Sequence, residues 1–377
     1  MNERVERARA ALRARGLEQA LLSSPHNVCY LGAAEVPIEV GPSPMAGGPS
    51  LALLDADGHV TLIVQDADVV AAQAQGDADT VIAYPAYSYQ ERYDQPANLW
   101  AALRRALQET GTTSGLLGVE PTTLPVLIAR ALDQEFPELH YADATAALAE
   151  ARSVKTAAEI ARLRRAIDLT AVGQNAARRF LQAGMTEIAL FGQVRAAMEE
   201  AAGSRLPVVG DLVAGAERTA AVGGWPTGRQ IAAGDLVLVD LAPRLAGYWG
   251  DSCNTLCAGE PTAEHRRMFQ ATTEALARAV EAARPGLRAS ELDALCRAEV
   301  ARYGYAYPHH SGHALGTTVH EAPRLVLYEE MPLQAGMVLA VEPAAYVPGV
   351  GGVRSEHVIL VTEGAAEVLS TFTHGFQ

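Results

Sequence analysis

The chain has 377 residues, 49% of them hydrophobic and 20% charged, which suffices for two domains with large buried cores. Acidic side chains (44) outnumber basic ones (30), and the net charge of −14 argues against non-specific binding to nucleic acid or an anionic membrane, because the long-range field repels phosphate. Four cysteines (Cys29, Cys253, Cys257, Cys296) without a C-x-x-C pair exclude a disulfide framework, and no uncharged apolar run reaches the roughly 20 residues of a membrane span.

The start, Met1-Asn2-Glu3-Arg4, is charged rather than apolar, so no secretory signal is expected and a cytoplasmic location is the default. Arg4 to Gly16 reads as a basic amphipathic helix ended by glycine. The strand-like Ala20-Leu21-Leu22-Ser23 and a turn at Pro25-His26-Asn27 follow. A Gly/Pro-rich stretch from Ala34 to Ser50 is expected to be a surface connection or a functional flap. Leu51 to Leu54 and Val60 to Val64 flank Asp57-Gly58, a hairpin signal. A helix near Leu99 to Leu107 and a strand near Leu116 to Val119 complete an α/β pattern, assigned to a domain over residues 1–150.

The character then changes, and a second, α+β domain is assigned to residues 151–377. Thr156-Ala157-Ala158-Glu159 is a capping box, and Ile160, Leu163 and Ile167 fall on one helical face behind it. Ala233-Gly234-Asp235-Leu236-Val237-Leu238-Val239-Asp240 resembles Ala335-Gly336-Met337-Val338-Leu339-Ala340-Val341-Glu342. At the same offset upstream, Gly184-Met185-Thr186-Glu187 faces Gly286-Leu287, with Ser290-Glu291 just beyond. Two such matches point to a duplicated helix–helix–strand–strand unit.

Asp240 and Glu342 each end a buried-strand run, where an isolated carboxylate is costly unless paired, protonated or bound to a cation. Each is followed by another acid across a plausible hairpin: Asp251 after Gly247-Tyr248-Trp249-Gly250, and Glu356 after Gly351-Gly352-Val353-Arg354-Ser355. Four carboxylates balance two divalent cations. Between the acidic hairpins lies His309-His310-Ser311-Gly312-His313-Ala314-Leu315-Gly316, followed by His320-Glu321-Ala322-Pro323. Histidines around two glycines suggest backbone that approaches a ligand closely. One imidazole with four carboxylates is a fairly hard ligand set, favouring manganese, cobalt or zinc over copper.

These motifs (Val-Asp…Gly-Asp, Gly-His-x-x-Gly-x-x-x-His-Glu-x-Pro, Val-Glu-Pro and Val-Arg-x-Glu) resemble those of the pita-bread metallopeptidases, which include methionine aminopeptidase, prolidase and aminopeptidase P. The leading domain, with Leu17 to Leu31 similar to the start of a creatinase-type N-terminal domain, indicates the prolidase and aminopeptidase P branch. The resemblance implies a duplicated ααββ pita-bread domain and an exopeptidase acting on short, Xaa-Pro-type peptides, with two divalent metal ions (manganese ahead of cobalt or zinc), as a homodimer. On matching positions it implies that Asp240 chelates one metal, Asp251 and Glu356 bridge, and His313 and Glu342 complete the set. Glu342 would shuttle a proton, His320 would donate to the developing oxyanion, and His309 would sit over the scissile group or the residue after it. Arg354 resembles an arginine that supports the site or meets the substrate carboxylate; a salt bridge to Glu356 or a neighbour is the competing reading.

Two departures stand out. The family usually has a histidine seventeen residues before the first metal Asp, where this chain has Gly223, and Cys253 replaces a usual threonine. The Gly223 substitution raises two alternatives: a metallo-exopeptidase selecting another residue or the C-terminal end, or a binding protein on the same scaffold. A metal-free creatinase-like hydrolase is disfavoured, because there the metal ligands are lost and the histidine kept.

Overall fold

The computed structural model describes residues 2–33, 35 and 48–377. Most of the Gly/Pro-rich stretch from Ala34 to Ser50 lies outside the described residues. The chain divides into two compact units, Met1–Arg152 and Ser153–Gln377.

The first unit is built on a six-stranded sheet. In spatial order its strands are Thr80–Tyr84, Val60–Gln65, Leu51–Leu54, Gln19–Leu22, Gly115–Val119 and Leu139–Asp143. The hairpin signal at Asp57-Gly58 corresponds to antiparallel pairing with Leu54 opposite Val60, and Gly58 has φ +93°. Central strands such as Leu51–Leu54 are buried along their whole length, as expected of a sheet covered on both faces. One face packs Leu12, Tyr30 and Leu148, the other Leu103, Leu107 and Leu132. The sequence Pro25-His26-Asn27 differs from expectation: it opens a helix, Pro25–Gly32. Ser24 is the N-cap and accepts from the Asn27 N–H, while Pro25 occupies the first helical turn, where it lacks only a hydrogen that would have no helical partner.

The second unit contains the expected repeat. Helices Ala157–Phe180 and Glu187–Ala202 precede the long strand Leu236–Leu245. Helices Ala263–Ala282 and Ala289–Ala301 precede the strand Val338–Val341. Thr156 accepts from the Glu159 N–H while Glu159 accepts from the Thr156 N–H, so the capping box forms in full. Equivalent turns recur in the two halves. The Gly184 N–H donates to Ile231 O at 2.8 Å and the Gly286 N–H to Leu333 O at 2.9 Å, and both glycines have positive φ. Isolated bridges Thr186–Gln230 and Arg288–Pro332 occupy matching places.

Each half contributes a five-stranded sheet. In the first, Leu236–Leu245 pairs with Ser252–Cys257, with Cys253 opposite Asp240. In the second, Gly312–Ala314 and His357–Leu360 flank Val338–Val341. A two-stranded ribbon, Ala344–Val347 with Gly351–Arg354, completes the second half. No helix among the described residues is long and apolar enough to cross a membrane.

Candidate metal centre

Asp240 does not end its strand, as the apolar run before it suggests. Leu236–Leu245 continues through it and turns back at Ala246-Gly247, both in the left-handed region (φ +49° and +84°). Asp240 therefore projects from mid-strand toward a cavity. Asp251 lies in the break between the strands Tyr248–Trp249 and Ser252–Cys257. Glu342 directly follows Val338–Val341, and Glu356 lies between Gly351–Arg354 and His357–Leu360. Backbone bonds bring these positions together. The Glu356 N–H donates to Cys253 O at 3.0 Å, across from Asp240, and the Glu342 N–H donates to Ser311 O at 2.9 Å, next to the histidine strand.

As a result, Asp240, Asp251 and Glu356 each offer an oxygen within 4.8 Å of the others. His313 Nε2 is 3.5 Å from Asp251 Oδ2 and 3.6 Å from Glu342 Oε1. Its Nδ1 faces the Ala314 carbonyl at 3.0 Å, a bond that fixes the tautomer and directs Nε2 at the acids. The cavity is about 260 Å³ and is walled by all five of these residues together with His309, His310, His320, Arg354, Asp211, Val222 and Trp225.

The two glycines of the histidine motif make room for protein rather than for a ligand. A β-carbon at Gly312 (φ +151°) would lie 2.0 Å from Ala340 O, and one at Gly316 would lie 2.7 Å from the Glu321 carboxylate. Gly312 thus lets the histidine strand press against its neighbour. Glu321 in turn is held by Lys155 Nζ at 3.3 Å and by the Thr317 N–H at 3.0 Å, which anchors the chain behind His320.

The remaining expected residues are also placed at the cavity. Arg354 is buried and pairs through Nη2 with Asp240. Its Nη1 donates to Val222 O at 3.0 Å and to the Tyr346 hydroxyl at 3.2 Å. Its salt bridges therefore go to Asp240 and, through Nε at 3.8 Å, to Glu342 rather than to Glu356, and its Nη donors are committed to protein. His309 has both nitrogens engaged: Nδ1 with His310 O at 2.6 Å and Nε2 with the Tyr346 hydroxyl at 3.0 Å. It presents a ring, not a free nitrogen, to the cavity. His320 is exposed, with its ring 4.3 Å from that of His313. Cys253 is buried with Val213 and Leu238, which makes it a packing residue.

Sequence reasoning assigned no role to Asp211, Val222, Trp225, His310 and Tyr346. His310 was visible beside His309, and its Nδ1 lies 3.3 Å from Glu342 Oε1. Asp211 precedes the short strand Leu212–Ala214, the same sign (an acid abutting an apolar run) that picked out Asp240. Tyr346 carries no comparable signal, because only the folded ribbon brings it to His309 and Arg354.

The electrostatics ask for a cation. Burial, then repulsion from Asp240 and Glu342, drives Asp251 well above the ordinary carboxylate range. Burial, then Asp251 and Glu342, does the same to Glu356. Burial raises Glu342 to about 8 and also raises Asp240, with Arg354 opposing in both. Burial lowers His309 to about 3, aided by Arg354, and His310 to about 4, aided by His320. His313 is held well below the normal histidine range by burial and then His320. Neutral imidazole is already the state that metal binding requires, whereas the raised carboxylates report crowded negative charge that a divalent cation would relieve as it displaces their protons. Glu356 Oε1 is buried with no hydrogen-bond partner among the described residues. An orphaned buried oxygen, a neutral Nε2 and hard oxygen donors fit divalent cations.

Comparisons with known proteins agree with this geometry. Residues 161–363 match Metallopeptidase family M24, and residues 4–154 match the Creatinase/Prolidase N-terminal domain. The chain is 29% identical to an Xaa-Pro dipeptidase of Pyrococcus furiosus over 98% of both chains. Among solved structures, it is similar to a prolidase from Pyrococcus horikoshii (TM-score 0.81, 25% identity, all of both chains covered). It is also similar to a prolidase from Pyrococcus furiosus (TM-score 0.76, 27% identity, 96% of this chain and 99% of that one). With a metal-ready carboxylate cluster in a duplicated pita-bread domain behind a creatinase-type domain, this chain belongs to metallopeptidase family M24.

Proposed function

We propose that the protein is an Xaa-Pro dipeptidase that works with two divalent metal ions, manganese ahead of cobalt or zinc. The observation that carries this reading is the convergence of Asp240, Asp251 and Glu356 within 4.8 Å, beside His313 and Glu342, in a chain similar end to end to Xaa-Pro dipeptidases. The cavity of about 260 Å³ lies at or below the small end of ligand pockets, ~300–1,000 Å³. A dipeptide suits that volume better than a long chain.

In this reading Asp240, Asp251, His313, Glu342 and Glu356 would hold the ions, with Asp251 and Glu356 shared between them. Bound metal ions would polarise the scissile carbonyl and lower the pKa of water, so hydrolysis needs no side-chain nucleophile. The protein's own groups do the rest. Arg354 fixes Asp240 through one carboxylate oxygen and leaves the other for coordination. Glu342, facing both His310 and His313, holds the proton in transit to the leaving amine. His320, with its imidazole neutral, donates a hydrogen bond to the developing oxyanion. His309, locked by Tyr346, supplies a rigid wall against the scissile group. The creatinase-type and catalytic domains are assigned to residues 1–150 and 151–377.

Metal analysis and a dipeptide panel test the proposal. The expected result is about two equivalents of manganese per chain and hydrolysis of Ala-Pro and Leu-Pro that stops on chelation. If no Xaa-Pro dipeptide is cleaved after loading with manganese, cobalt or zinc, the proposal is wrong.

A further inference from the structure

Gly223 borders a feature that the metal chemistry does not use. Its φ is not positive, so nothing in the backbone demands glycine there. The demand comes from Asp211: a β-carbon on residue 223 would lie 1.8 Å from Asp211 Oδ2 and 2.9 Å from Asp211 Cγ. The carboxylate of Asp211 occupies the place where a side chain at 223 would begin. Its backbone is tied to the metal strand, since the Asp240 N–H donates to Asp211 O at 2.8 Å.

Asp211 is half-buried in the cavity wall yet stands outside the three-carboxylate cluster. Among the described residues its carboxylate has no hydrogen-bond or ion-pair partner. The cavity's guanidinium cannot serve it, because the Nη groups of Arg354 are committed to Asp240, Val222 O and Tyr346. The neighbouring backbone is held in a costly conformation to form this wall. Val222 is β-branched with φ +77°, a conformation such residues rarely adopt, and its carbonyl is pinned by Arg354. An unpaired carboxylate, partly desolvated and facing a substrate-sized cavity, is a receptor for a cation on the ligand.

We propose that Asp211, whose carboxylate stands where a side chain of residue 223 would begin, is a specificity-determining residue that takes the free α-ammonium group of the substrate from the cavity side. This rests on the exopeptidase reading above. A peptide whose first carbonyl lies at the metal cluster carries its α-ammonium within one residue of it, and Asp211 is joined to that cluster through Asp240. The same chemistry would accept the side-chain ammonium of a lysine, so the test separates the two sources.

The experiment compares wild type with Asp211→Asn on Ala-Pro, on propionyl-proline (the same shape without the ammonium) and on Lys-Pro, all with manganese-loaded protein. Asp211→Asn is expected to keep its manganese content and kcat. Its KM for Ala-Pro should rise about 10- to 100-fold, as for loss of a charge-assisted hydrogen bond. The variant should show no such rise with propionyl-proline, and Asp211→Glu should recover part of the loss. An unchanged KM for Ala-Pro, or an effect confined to Lys-Pro, overturns the assignment. Calorimetric binding of Ala-Pro and propionyl-proline makes the same comparison without turnover. A wild type that binds both but cleaves neither would refute the dipeptidase reading while still deciding the role of Asp211.

Discussion

The backbone N–H of Glu356 donates to the carbonyl of Cys253 at 3.0 Å, joining the second half of the catalytic unit to the first. Because Cys253 faces Asp240 across its ladder, the bond sets Glu356 beside Asp240 and Asp251. On the proposed assignment, Asp251 and Glu356 are the carboxylates shared by both ions. Asp251→Ala or Glu356→Ala is expected to remove bound metal and to lower activity by about three orders of magnitude or more, equivalent to several kcal/mol. Metal analysis and kcat/KM on Ala-Pro check this together. Either variant retaining full metal and activity would refute the bridging assignment.

Much of this site was legible in the sequence, and the reason is physical. Acids that abut apolar strand runs cannot be buried without a counter-charge, so Asp240 and Glu342 stood out from ordinary surface acids. Turn signals flanking Asp251 and Glu356 gave their convergence. The capping box at Thr156 and Glu159 was equally local and formed as read. Local reading failed where tertiary contacts decide. Asp240 sits mid-strand because a hairpin turn at Ala246-Gly247 keeps the strand going. Pro25 is different in kind, because the Ser24 cap and a proline in the first turn are themselves a local helix-start signal. The glycines of the histidine motif serve Ala340 and Glu321, contacts that no spacing rule reveals.

Removing metal should reverse the pH dependence of stability. Asp251, Glu342 and Glu356 have folded-state pKa values raised above their unfolded ones, Glu342 to about 8. Groups shifted in this direction contribute stability below the unfolded value, near 4, and lose it as pH rises through the folded value. The buried histidines, depressed in the folded state, act oppositely while their unfolded forms titrate near 6.5, so the carboxylates govern alone above about pH 7. Chelated protein should therefore melt progressively lower from pH 7 to pH 9, by about 5 °C or more. Manganese-loaded protein should not follow, because the cations replace the protons. Differential scanning calorimetry decides it: a chelated form whose Tm rises across this range would contradict the electrostatic picture.

The buried pair of Lys155 with Glu321 is a structural anchor for the segment carrying His320. Both side chains are almost fully inaccessible, and Nζ lies 3.3 Å from Oε2. Lys155→Met strands a buried carboxylate and is expected to cost about 3–5 kcal/mol. Urea denaturation monitored by circular dichroism measures this cost. The double variant Lys155→Met with Glu321→Gln should recover much of it, since no unpaired charge remains. Equal destabilisation of single and double variants would show that packing, not charge, dominates there.

Gly223 and Asp211 should behave as one coupled position. Since the backbone at 223 tolerates a side chain and only Asp211 obstructs it, Gly223→Ala must turn the Asp211 carboxylate out of its place. The expected cost is about 1–3 kcal/mol, as for overpacking. With Asp211→Gly the obstruction disappears, so adding Gly223→Ala to that background should cost little. The double-mutant cycle should then return a coupling energy of about 1 kcal/mol or more. Urea denaturation of the four proteins supplies the cycle. Additive effects would mean that the close approach of Asp211 to residue 223 relaxes freely and that a histidine there need not displace the acid. A clear coupling would mean that an imidazole at 223 and a carboxylate at 211 exclude one another. The wall of the cavity can then present one polar group or the other, but not both.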